Sequence, residues 1–181
     1  MIVYLHSHDI YDRGRSFGRH ADLTDVAHII VPARATVSDM ARTVIERVRN
    51  RRSIWLLIFN AHGWFARIGI GQGIDAHNVW DLAPLRDYMT PGGRGVEIHA
   101  CLVAGAERAP GDTEFREVGI EFISRMAHVL NAPVRASTRL QVGVEYGWFG
   151  PVRGSDTVGV FEDDYLLVDP NGGGSSHPSG F

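Results

Sequence analysis

The chain has 181 residues, a formal net charge of −3 with histidine neutral, 44% hydrophobic and 22% charged residues. That suits one globular domain with its own core and gives no global field favouring nucleic acid or an anionic membrane. Cys101 is the sole cysteine, which excludes an internal disulfide framework and any cysteine-rich zinc site. All 18 basic residues are arginine. Without lysine there is no Schiff-base chemistry, no pyridoxal-phosphate attachment and no phosphate-loop lysine. The N-terminal stretch lacks the basic flank and apolar length of a signal peptide, and no run approaches the roughly 18 apolar residues of a membrane span. A cytoplasmic location without membrane or nucleic-acid partners is the expectation; the oligomeric state is left open.

In chain order, residues 2–5 read as a first strand, followed by a His-, Asp-, Arg- and Gly-rich loop with one helical turn. Residues 28–31 form a second strand stopped by Pro32. Ser38 is placed to cap a helix running to about Arg51, with Met40, Val44, Ile45 and Val48 on one face. The continuous apolar run at 54–60 fits a strand buried on both faces. A short strand at 67–70, a helix at 78–89, a strand at 96–100, an amphipathic helix at 114–130 and a strand at 134–136 follow. Short strands are expected at 142–146, 157–161 and 165–168, before a disordered tail at 170–181. Alternating strands and helices imply an α/β domain over residues 1–169, with a mostly parallel central sheet in a three-layer αβα sandwich.

In such sheets ligands sit outside the carboxyl ends of the strands. His62-Gly63 follows the strand at 54–60, and Cys101 follows the strand at 96–100. If these strands are neighbours, roughly 5 Å apart, imidazole and thiol face each other over one edge. A thiol becomes a strong nucleophile once an imidazole takes its proton. The amides of Gly63 and Cys101 are placed to hold a developing oxyanion, and a glycine at 63 admits a close carbonyl. The catalytic pair expected from position is therefore His62 and Cys101.

The blocks Leu57-Ile58-Phe59-Asn60-Ala61-His62-Gly63 and Val96-Glu97-Ile98-His99-Ala100-Cys101 resemble those of the caspase-like (clan CD) cysteine peptidases. A bacterial caspase-like domain is similar over about residues 54–140, including the segment Asn131-Ala132-Pro133-Val134-Arg135-Ala136-Ser137-Thr138. The resemblance implies a cysteine endopeptidase acting on a protein or peptide through a thioester, without cofactor or metal. His62 would be the acid–base and Cys101 the nucleophile. It departs at His99 and Leu102, where caspases carry other residues, so a substrate preference does not transfer. His99, Ser137 and Trp148 are candidates for lining a substrate pocket.

Two other readings stand beside it. One is a caspase-fold module that binds a partner with the dyad unused. The other is a metal-dependent hydrolase, because His6 and His8 are spaced to share a strand face, and Asp9, His20, Asp22, His62 and His99 add donors. Gly69-Ile70-Gly71-Gln72-Gly73 has the wrong spacing for a dinucleotide loop. The arginines at 47, 49, 51 and 52 read as a solvated helix end.

Overall fold

The computed structural model describes residues 1–13, 25–50, 53–105, 118–138 and 165–177. Among these, seven strands form one sheet: β1 (Ile2–Ser7), β2 (Val26–Val31), β3 (Leu56–Asn60), β6 (Gly95–His99), β7 (Val134–Ser137), β8 (Tyr165–Val168) and β9 (Gly174–His177). Their order across the sheet is β2-β1-β3-β6-β7-β8-β9. The first five are mutually parallel, and β8 and β9 add antiparallel neighbours. β4 (His62–Trp64) and β5 (Arg67–Gly69) make a separate antiparallel hairpin after β3. The mixed α/β class with a mostly parallel sheet therefore holds.

The helices are α1 (His8–Arg13), α2 (Val37–Val48), a 3₁₀ helix (Val79–Tyr88) and α3 (Val118–Leu130). The 3₁₀ helix packs against both α2 and α3. Apolar residues of all three join Val3, Leu5, Leu57, Phe59, Val96 and Ile98 in the main core. One face of the sheet thus carries a single helical layer. Handedness explains it: from β2 the chain crosses to β3, β6 and β7 in one direction, and right-handed crossovers in one direction fall on one face. The second helical layer of the expected sandwich is not seen among the described residues.

The other face has a small apolar group, Tyr4, Leu56 and Ile58, and an unusual set of buried polar side chains. His6, Asn60 and His99 form one row across β1, β3 and β6. Strand β6 reads Gly-Val-Glu-Ile-His, an alternation that normally marks one solvated face, yet Glu97 and His99 are 0% and 2% exposed. Burial is tolerated because each is paired. The Glu97 carboxylate meets Arg94 Nε at 2.5 Å and His99 Nε2 at 3.0 Å. Arg135 joins this face one strand over, opposite Glu97 in register, and donates to the Arg94 carbonyl. Burial, then the charge of Arg94, lowers the pKa of its guanidinium.

Several boundaries differ from expectation for local reasons. α2 is capped by Thr36, not Ser38: Thr36 accepts from the Asp39 amide and the Asp39 carboxylate accepts from the Thr36 amide, a capping box. Ser38 instead donates to Asp81 on the 3₁₀ helix. The segment at 79–88 carries Pro84, which cannot supply a helical amide, and it winds as 3₁₀ rather than α. Trp55, placed in the strand by its apolar character, precedes β3 and is 43% exposed. Gly174–His177, within the segment expected to be disordered, pairs with β8. The strands expected at 142–146 and 157–161 lie outside the described residues.

Candidate active site at the sheet edge

The strand order reverses beside β1: the chain moves outward to β2, then returns past β1 to β3. In open α/β sheets a crevice forms at the carboxyl ends of the strands that flank such a reversal, here β1 and β3. Such switch points are where open α/β sheets bind ligands. Asp9 follows β1 and His62 follows β3. Across that crevice Asp9 Oδ2 lies 3.2 Å from His62 Nε2, and the Ser7 hydroxyl donates to the other Asp9 oxygen. Partial burial alone would raise the Asp9 pKa. The Ser7 hydrogen bond and the charge of His62 outweigh it, and the carboxyl is held below its ordinary range. Asp9 is thus an ionised acceptor that fixes the His62 ring with Nε2–H toward it and Nδ1 free to act on a proton. The His62 side chain is 62% exposed, as an acid–base group facing a ligand must be.

Cys101 comes to the same edge. β3 and β6 are parallel neighbours, and the loop after β3 bonds to the chain after β6 through Ala61 N–H to His99 O and Ala66 N–H to Val103 O. Cys101 is half-buried and opens the turn 101–104. Leu102 in that turn has φ of 56°, a left-handed conformation that costs a non-glycine residue about 1 kcal/mol. The turn is held by Gly105 N–H to Leu102 O and by Ala104 N–H to Ser137 O.

Gly63 has a different reason for being glycine than the one read from the sequence. A Cβ there would lie 2.5 Å from the Cys101 carbonyl oxygen and 2.7 Å from both Ala100 Cβ and Val103 Cγ2. The space expected for a substrate carbonyl is filled by the protein's own turn. Gly63→Ala is therefore expected to destabilise the fold by about 1–3 kcal/mol, the usual cost of overpacking. Urea denaturation checks this, and an unchanged midpoint would contradict the close packing of hairpin on turn.

The remaining candidates fall elsewhere. The His99 side chain is fully buried against Glu97 and does not line the open crevice. Ser137 is buried, and its carbonyl braces the Cys101 turn. Trp148, His20 and Asp22 lie outside the described residues. His6 is 0% exposed; its Nε2 lies 2.9 Å from His28 Nδ1 and its Nδ1 lies 3.3 Å from the Asn60 amide nitrogen, whereas His8 is exposed. Both ring nitrogens of His6 are engaged, and the described residues hold no group of three donors able to bind a metal ion. The metal-dependent reading has no support in this arrangement.

Fold and crevice together define an α/β protein with an Asp–His pair at the switch point of its sheet. No family model and no solved structure matches the chain. The chain is similar to the deoxyuridine 5'-triphosphate nucleotidohydrolase of Serratia proteamaculans (strain 568), with 32% identity over 82 residues, 45% of this chain and 49% of that protein. The chain thus matches about half the length of that curated relative.

This finding overturns the caspase-like resemblance and the cysteine-peptidase function drawn from it, because the relative is a nucleotidohydrolase and no peptidase likeness accompanies it. Neither a partner-binding caspase module nor a metal-dependent hydrolase fits better. One of the motifs behind the resemblance has a packing cause. Gly63 must lack a Cβ for the hairpin to sit on the turn at Cys101, because a Cβ there would meet the Cys101 carbonyl, Ala100 and Val103. The glycine after His62 therefore follows from close backbone approach and does not by itself name a peptidase.

Proposed function

We propose that the chain is a hydrolase acting on a nucleotide, with His62 as general base at the sheet's switch point. The observation that carries this is the Asp9–His62 contact of 3.2 Å across the crevice; the similarity to a nucleotidohydrolase supports the substrate class. His62 Nδ1 takes a proton from the attacking water while Asp9 accepts from Nε2–H and stabilises the imidazolium that forms. Ser7 holds Asp9 in place. Burial of Leu56, Ile58 and Glu97 on the sheet's second face supports the three-layer arrangement around this edge.

The test is turnover of a panel of nucleoside triphosphates by the full chain, with released pyrophosphate and phosphate measured separately. His62→Ala is expected to lower kcat by about 10²- to 10⁴-fold, the range of general-base contributions. A chain that turns over none of them would overturn the reading. Cys101→Ala separates the two attacking groups. Retained turnover assigns attack to water, and loss equal to that of His62→Ala assigns it to the thiol.

A further inference from the structure

The hairpin that carries His62 has a second feature that general-base chemistry does not need. Its inner face is formed by Gly63, packed on the Cys101 turn, and by Ile68, fully buried in the main core. Alternation along each strand then sends His62 and Trp64 outward from β4, and Arg67 and Gly69 outward from β5. In register, His62 is opposite Gly69 and Trp64 is opposite Arg67. The outer face therefore presents one imidazole, one indole and one guanidinium on a rigid two-stranded support.

Trp64 is 59% exposed, the largest value among the exposed large apolar residues described. An indole this open gains little for folding. Arg67 is held without being neutralised: one N–H of its guanidinium donates to the Gln72 carbonyl at 3.3 Å, and it forms no ion pair among the described residues. Gly73, with φ of 96°, lets the guanidinium lie against the backbone; a Cβ there would stand 2.8 Å from it. Arg67 also borders a cavity of about 320 Å³ whose lining includes Phe65, Asp75, His77, Glu121 and Phe122, near the lower bound for small-ligand sites. Two residues along a strand is roughly 7 Å and the step between strands roughly 5 Å, so indole and guanidinium both lie within a nucleotide's length of His62.

We infer that the outer face of the β4–β5 hairpin is the nucleotide-recognition surface, with Trp64 stacking on the base and Arg67 pairing with a phosphate. This rests on the hydrolase reading above. A π face accepts any base, while an arginine fork matches phosphate oxygens, so the pair selects a nucleoside phosphate over an inorganic one.

The experiment is steady-state kinetics of the full chain with deoxyuridine triphosphate and, separately, inorganic triphosphate. Trp64→Ala is expected to raise KM for the nucleotide roughly 5- to 150-fold, the range for losing one stacked base. Trp64→Phe keeps a π face and stays within a few-fold of the parent chain. Arg67→Gln raises KM for both compounds. Trp55→Ala, an exposed tryptophan at the opposite end of β3, leaves KM unchanged. A nucleotide KM for Trp64→Ala equal to that of the parent chain overturns the inference and leaves the hydrolase reading standing. Failure of the parent chain to turn over any nucleotide overturns that reading, and the inference with it.

Discussion

Lowering the pH from about 6.5 toward 3 is expected to cost the folded chain roughly 5 kcal/mol through His6 alone. Burial, followed by the charge of His28, moves the His6 pKa from its ordinary 6.5 down to about 3. The geometry gives the cause. With the Asn60 amide donating to His6 Nδ1, Nε2–H donates to His28 Nδ1, and a second proton on His6 would break the Asn60 bond. The ring is also sealed by stacking, with Tyr4 5.5 Å and His28 5.2 Å away between centroids. In this window the unfolded chain binds the proton and the folded chain does not. Stability therefore falls by about 1.4 kcal/mol per pH unit as the pH drops below 6.5, and levels off below the folded value near 3. Above 6.5 this residue contributes no slope. Asp9 acts in the same overall direction but lower: its depressed pKa gives stability that is complete above its ordinary carboxyl value and lost as the pH falls through the folded one. Urea midpoints at pH 7, 6, 5 and 4 read the first effect, and His6→Gln should flatten the curve. A parent chain equally stable at pH 6.5 and pH 4 would contradict a neutral buried His6.

Glu97→Ala is expected to destabilise the chain by about 3–5 kcal/mol, the usual loss when one partner of a buried ion pair is removed. The carboxylate is fully buried between Arg94 and His99, with Arg135 on the next strand. Its removal leaves buried His99 and the partly exposed Arg94 guanidinium without their acceptor. For a chain of this size that corresponds to a fall in Tm of roughly 6–20 °C. Glu97→Gln keeps the volume and one acceptor oxygen and should cost less. Calorimetric melts of the two variants distinguish charge from shape, and a Glu97→Ala melting point within a degree of the parent would contradict a buried, paired carboxylate.

The main-core face was legible in the sequence because its signals are local. The apolar run through Leu56 to Phe59 and the stripes of α2 and α3 each carry a period that hydrophobicity alone reveals. The second face was not. Tyr4, His6, Glu97 and His99 alternate with apolar neighbours as solvated residues would, and only cross-strand pairing shows that they are buried together. The same limit applies at the candidate site. His62, Cys101 and Asp9 are legible as residues at the ends of strands on one sheet edge, but the pairing of Asp9 with His62 shows only in the β2-β1-β3 order. Gly63 stands out beside His62 in the sequence, but nothing in a one-dimensional pattern reports the Cys101 carbonyl oxygen 2.5 Å from where its Cβ would be.

The central claim is that nucleotide meets His62 at the switch point, and histidine-ring NMR during a nucleotide titration tests it most directly. With deoxyuridine triphosphate added to the full chain, the His62 ring resonances are expected to shift and saturate, while those of buried His6 and His99 stay in place. Saturable binding or turnover of the nucleotide with the His62 resonances unmoved would contradict the claim.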